Sequence, residues 1–241
     1  MKKIDIRQKL NEIGIFVENI PLGHFDVLGR FTAERSRSPD SPLYNSVGSF
    51  YRSNYERGIL IYYLIKQYQI SSMLEIGFGR GYSTLCAAKA FADCGINGKI
   101  VTIDPNFNEQ HIQTLKSVFP KQWFDCITFA KGTSREILPS VKEEFDLVYI
   151  DGDHSYDATK FDWESTKDLY QKFLLFDDYH LPGKNDPGIQ CQKLIDEIED
   201  DSKELIVMDR RIFFDDRRIP DEEIDYGQVL LSRPSVKKLD W

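Results

Sequence analysis

Two apolar runs end in charge. "LVYIDGDHSYD" (147–157) carries Asp151, Asp153 and His154, and "LLFDDYH" (174–180) carries Asp177, Asp178 and His180. If the two runs are neighbouring strands, Asp151, Asp177 and Asp178 converge on one point from two loops. Three carboxylates cannot all stay ionised at close range without a counter-charge. A hard divalent ion with oxygen ligands, Mg²⁺ above all, supplies that charge and keeps water positions for a substrate. The competing reading is a metal-free site in which Asp177 and Asp178 hydrogen-bond a substrate directly. His154 and His180 both adjoin the acids, and an unperturbed pKa of about 6.5 suits imidazole to general-base work near neutral pH. Asp153 reads as a surface acid or helix cap with no catalytic role, and Ser155 as the cap of a helix beginning at Tyr156. His24 and His111 are isolated and read as ordinary polar or packing residues.

A second chemical signal lies upstream in "LEIGFGRGYSTL" (74–85), where Glu75 closes a strand and Gly77, Gly79 and Gly81 follow at alternate positions. Glycines allow a tight turn from strand to helix and close approach of a ligand, while the helix N-terminus offers free N–H groups. A structural βα turn needs glycine too, so the loop alone leaves both readings open. "KIVTIDPN" (99–106) adds Asp104 at the end of the next strand, where a carboxylate can accept hydrogen bonds from both hydroxyls of a ribose. The GxGxG spacing departs from the dinucleotide pattern GxGxxG, which weighs against a nicotinamide-dependent dehydrogenase.

The elements that must position these residues are legible as apolar runs at 72–76, 99–103, 126–130, 146–150, 172–176, 204–208 and 228–232, most of them separated by helix-length segments. Strands buried on both faces read as continuous apolar runs, so the expected fold is a three-layer α/β sandwich with a mostly parallel seven-stranded sheet. Residues 209–227 lack a helical period and carry Pro220 and Gly227, so the last strand should return antiparallel to the sixth. Residues 2–13 and 53–69 read as helices, the second with a stripe of Tyr55, Leu60, Tyr63 and Leu64. The segment between them is expected to be an irregular cover. We therefore expect one domain over 1–241, with an N-terminal cover (1–70) and a cofactor-binding and catalytic core (71–241). The stretch 196–204 reads as a solvated helical face.

A length of 241 residues with 41% hydrophobic content suits one globular domain. The balance of 31 basic and 39 acidic residues gives a net charge of −8, which disfavours nucleic acid and anionic membranes as partners. The longest apolar run, Ile59 to Ile65, falls far short of the ~18 residues that span a bilayer. Four cysteines without a CxxC pair read as reduced thiols in a cytoplasmic protein.

From about residue 55 onward the chain resembles the class I S-adenosylmethionine-dependent methyltransferases. The resemblance implies a Rossmann-like fold in which the loop from Glu75 to Gly81 cradles the methionine part of the cofactor and Asp104 holds the ribose. "KGTS" (131–134), with Thr133 and Ser134, would border the adenine. Gly81-Tyr82-Ser83 is similar to the "GYS" of catechol-type O-methyltransferases, whose serine contacts the cofactor carboxylate. In the metal-dependent members an Asp after the fourth strand and an acid pair after the fifth bind the ion. That implies Asp151, which also borders the cofactor, together with Asp177 and Asp178. The base stands three residues beyond the first Asp, at His154 here, where catechol-type enzymes have lysine. "DGDH" is closer to the macrocin-type sugar O-methyltransferases, so the implied acceptor is a small hydroxylated molecule, sugar-like or a vicinal diol. Segments 20–52 and 209–227 are expected to form its pocket. Relatives of this type are often dimers or larger. Two alternatives remain open at this point: a sensor or scaffold that binds the cofactor without turnover, and a metal-independent methyltransferase.

Overall fold

The computed structural model describes residues 1–5, 55–179, 190–207 and 227–236. In chain order the elements are β1 (Lys2–Asp5), α1 (Tyr55–Tyr68), β2 (Ser72–Ile76), α2 (Tyr82–Cys94), β3 (Lys99–Asp104), α3 (Glu109–Val118) and β4 (Ile127–Lys131). They continue with α4 (Ser134–Ile137), β5 (Phe145–Ile150), α5 (Tyr156–Thr166), β6 (Tyr170–Tyr179), α6 (Cys191–Glu197), β7 (Glu204–Val207) and β8 (Gly227–Ser232). The strands form one sheet in the order β1-β7-β8-β6-β5-β2-β3-β4. Among the described strands only β8 runs antiparallel, against both β6 and β7. The expected α/β sandwich is therefore present, with every anticipated strand in it.

The sheet is covered on both faces, and the two-residue strand period decides which side chain goes where. Met73, Leu147, Tyr149, Phe173 and Leu175 share one apolar cluster with Leu60, Ile61 and Leu64 of α1 and Leu85 and Phe91 of α2. Their neighbours Leu74, Val148, Leu174 and Phe176 share the opposite cluster with Leu194 and Ile195 of α6. Consecutive apolar residues are thus consumed by opposite layers, which is why the strands read as unbroken runs.

Three expectations are corrected. Residues 2–5 form no helix: Lys2–Asp5 pairs in parallel with β7, buries Ile4 and sets Lys2 3.6 Å from Glu204, so the sheet has eight strands rather than seven. Helix α1 buries Leu60 through Ile65 without interruption, where a single stripe was expected. Gly58 permits this close packing, since a Cβ there would collide with Cys86 and Tyr82 of α2. Finally, 196–204 is not one helical face. Helix α6 ends at Glu197, and Asp200 turns the chain by accepting the Ser202 N–H at 2.7 Å, before β7 begins at Glu204. Among the described residues no helix is long and apolar enough to cross a membrane.

Candidate active site

Strand order reverses on either side of β2, whose partners are β3 and β5. Ligands in open α/β sheets occupy the crevice outside the carboxyl ends at such a reversal. The glycine loop leaves β2, Asp104 ends β3 and Asp151 follows β5, so all three motifs open onto that crevice.

The glycine loop is held by buried side chains. Glu75 is fully buried and accepts hydrogen bonds from Ser83 and Thr84 of α2 and, at 2.6 Å, from Thr102 of β3. Burial raises the pKa of its carboxyl, and the three hydroxyls oppose that shift. Glu75 and Ser83 thus join strand to helix from beneath the loop. Gly77, Gly79 and Gly81 all have positive φ, at 96°, 51° and 84°. A side chain at Gly77 would run into the Asp151 carbonyl, and one at Gly81 into the Phe78 ring. At Gly79 a Cβ would meet nothing within 4 Å. That open space above the loop is where a ligand can approach the backbone. Gly81 is the N-cap of α2, and Tyr82 is buried in the first turn.

Asp104 is fixed by backbone donors. Its two oxygens accept the Gly79 N–H at 3.0 Å and the Asn106 N–H at 2.6 Å, which orients the carboxylate at the crevice. Past β4, Thr133 forms a reciprocal capping box with Glu136 on α4. Ser134 hydrogen-bonds Asp162, a buried carboxyl of α5 whose pKa is pushed up to about 6, first by burial. The other face of Asp162 lies under Gly152, so this acid joins the loop after β4 to the loop after β5. The sequence reading missed it because nothing in "YDATKFDWEST" marks one acid as inward-facing.

At the far side of the crevice the structure brings Asp151, His154 and Asp178 together. One ligand atom from each lies within 4.8 Å of the others, and His154 Nε2 is 3.1 Å from Asp178 Oδ2. Asp178 reaches this position through a bulge. The β6–β8 register shifts between Phe176 and Tyr179, and Asp178 has φ of 55°, left-handed for a residue with a side chain. Such backbone strain is of order 1–3 kcal/mol and clusters at functional sites. Asp177 turns elsewhere: its Oδ2 accepts the Tyr149 hydroxyl at 2.8 Å in a buried network. Tyr149 also stands 3.3 Å from Asp151 Oδ2 and receives the Gln228 amide at 3.1 Å. Tyr149 and Gln228 sat within apolar strand runs and carried no separate sequence signal.

Ser155 occupies the N-cap position of α5 but makes no side-chain capping bond. Asp153 instead accepts the Ser155 N–H at 2.8 Å, which holds its carboxyl below the usual range. The reading of His111 as isolated is corrected: its Nε2 lies 3.2 Å from the Arg80 carbonyl in the glycine loop. His24, His180 and the expected acceptor segments 20–52 and 209–226 lie outside the described residues.

Residues 74–179 match the family model described as "Methyltransferase domain". Over 88 residues the chain is 33% identical to the O-methyltransferase hkm8 of Aspergillus hancockii, covering 36% of this chain and 33% of that protein. The matched segment thus spans about a third of that relative's length. The O-methyltransferase from Bacillus cereus, solved with S-adenosylhomocysteine, superposes with a TM-score of 0.58 at 18% identity, covering 95% of this chain and 97% of that one. TomG from Streptomyces achromogenes, an O-methyltransferase of tomaymycin synthesis solved with S-adenosylmethionine, gives 0.57 at 17% identity, with 94% and 98% covered. The chain thus carries a match to a methyltransferase domain over residues 74–179 and shares the fold of the solved O-methyltransferases to which it is similar.

Proposed function

We propose that the protein transfers a methyl group from S-adenosylmethionine to a hydroxyl of a small, sugar-like or vicinal-diol acceptor, with His154 as general base. The observation that carries this reading is the His154–Asp178 pair, 3.1 Å apart at the carboxyl ends of adjacent strands, beside a glycine loop whose Gly77 backs onto Asp151.

The residues fit the cofactor. The space above Gly79 admits a ligand to the loop backbone, and Asp104 offers an oriented carboxylate for a ribose diol. Thr133 and Ser134, which follow β4, are the residues assigned to the nucleoside end. When bound, S-adenosylmethionine supplies the methyl group on its sulfonium sulfur and leaves as S-adenosylhomocysteine. The protein's own part is to hold donor and acceptor in line and to take the acceptor's proton. Asp178 accepts a hydrogen bond from the Nε2–H of His154, which leaves Nδ1 as the basic nitrogen and stabilises the imidazolium that forms.

A second reading, a divalent ion at the same place, is favoured by the convergence of Asp151, His154 and Asp178 within 4.8 Å. Asp177 stands one residue away in a buried network, so the acid trio remains the local charge that an ion would balance. Two carboxylates and an imidazole suit Mn²⁺ or another first-row ion better than Mg²⁺, which prefers oxygen donors throughout. When bound, such an ion would acidify a coordinated acceptor hydroxyl, and His154 would then act as ligand rather than base.

Calorimetric titration of Mg²⁺ and of Mn²⁺ into the protein saturated with S-adenosylhomocysteine separates the two. Saturable binding lost in both Asp151→Ala and His154→Ala assigns His154 to an ion. Methylation of a diol acceptor that persists in chelator and falls with His154→Ala assigns it to proton transfer. Failure to bind S-adenosylhomocysteine at all would overturn the proposed activity.

A further inference from the structure

We propose that His111 is a positioning residue of the cofactor loop: from helix α3 its imidazole holds the Arg80 carbonyl, and with it the Gly79–Gly81 turn, in the shape that receives S-adenosylmethionine. The inference rests on the cofactor reading of that loop.

The loop needs such a holder. Arg80 lies between two glycines that are both left-handed, at φ of 51° and 84°. Peptide planes flanked by glycine rotate at little steric cost, so the turn does not fix itself. Two of its N–H groups are taken: Asp104 accepts the Gly79 N–H at 3.0 Å, and the Phe78 carbonyl accepts the Gly81 N–H at 2.7 Å. The Arg80 carbonyl is held across 31 residues of chain, by His111 Nε2 at 3.2 Å. A carbonyl only accepts, so Nε2 carries a hydrogen, and in the neutral ring Nδ1 is then the bare nitrogen.

Packing alone does not account for the imidazole. The ring meets the edge of Phe78 at 6.2 Å between centroids, and its Nδ1 is buried with no hydrogen-bond partner among the described residues. Burying an unsatisfied polar atom is costly, whereas an aliphatic side chain would fill the same space without that loss. The Nε2–H is what an aliphatic residue could not supply. Burial lowers the His111 pKa, against the Arg80 carbonyl hydrogen bond that raises it, and so favours the neutral ring.

The test compares S-adenosylhomocysteine binding by calorimetry in the wild type, His111→Leu and His111→Gln. The expected result is about fivefold to tenfold weaker binding in His111→Leu, the scale of one neutral hydrogen bond, with recovery in His111→Gln, whose amide can donate to the same carbonyl. In turnover, the loss should fall on KM for S-adenosylmethionine while kcat at saturation stays near wild type, a split that general destabilisation would not produce. Wild-type affinity in His111→Leu would overturn the inference and leave the cofactor reading standing. No binding by wild type would overturn both. Should His111→Leu fail to fold, two-bond ¹H–¹⁵N spectra of the wild type decide: an Nε2–H tautomer for His111 supports the inference, and an Nδ1–H tautomer or an imidazolium overturns it.

Discussion

The crevice has two sides built by different means. On the cofactor side, the loops after β2 and β3 present mostly backbone: three left-handed glycines, a helix N-terminus and a carboxylate already held by two N–H groups. On the acid side, the loop after β5 and the end of β6 present side chains, and one of these, Asp178, reaches its place only through a bulge. Backbone geometry suits a ligand that is always the same, because it forms with the fold and has few alternative conformations. Side chains from separate loops suit a reaction, because proton transfer needs groups whose charge can change. Asp162 ties the loop after β4 to the acid side, hydrogen-bonding Ser134 while lying beneath Gly152.

The largest expected effect breaks the cofactor side. Gly77→Ala places a methyl group against the Asp151 carbonyl at a φ of 96°, so backbone on both sides of the crevice must move. We expect at least 3 kcal/mol of lost stability and no measurable S-adenosylhomocysteine binding, read by urea unfolding and calorimetry. His154→Ala should act on the acid side alone: kcat falls roughly 10²- to 10⁴-fold while S-adenosylhomocysteine affinity stays within about twofold. An equal loss of affinity would show that the two sides are not separable.

Asp162→Asn probes the tie between the loop after β4 and the acid side. The folded pKa is about 6 against 3.8 for an ordinary aspartate, so between these values the native state binds more protons than the unfolded one and stability rises as pH falls. Above pH 6 the buried charge costs about 3 kcal/mol. Asn keeps an acceptor for Ser134 without the charge, so the variant should be more stable than wild type at pH 8 and lose that advantage as pH falls from 6 to about 4. Urea midpoints across that range check both the sign and the window.

Two smaller changes sharpen the contrast. Tyr149→Phe removes only the hydroxyl that reaches Asp177 and Asp151, and should weaken any divalent-ion binding at the acid side roughly tenfold while S-adenosylhomocysteine binding holds. Gly79→Ala meets no atom and should cost only about 1 kcal/mol of stability for the left-handed backbone. Its effect should appear instead in cofactor affinity, since the open space above the loop would be partly filled.

Sequence alone determined seven of the eight described strands and the glycine turn between β2 and α2. Local rules decide both: short apolar runs of β-branched and aromatic residues, spaced by helix-length segments, read as strands, and a tight strand-to-helix turn needs glycine wherever it occurs. Residues 2–5 escaped because four residues show too little period, and their strand exists only where β7 offers an edge to pair with. What only the tertiary structure decided depends on contacts between segments far apart in the chain. His111 meets Arg80, Tyr149 meets Asp177, and Asp162 meets Ser134, each across more than twenty residues. The pairing of Asp178 rather than Asp177 with His154 was equally hidden, because two adjacent acids are equivalent in a sequence until a bulge against β8 turns one of them towards the crevice.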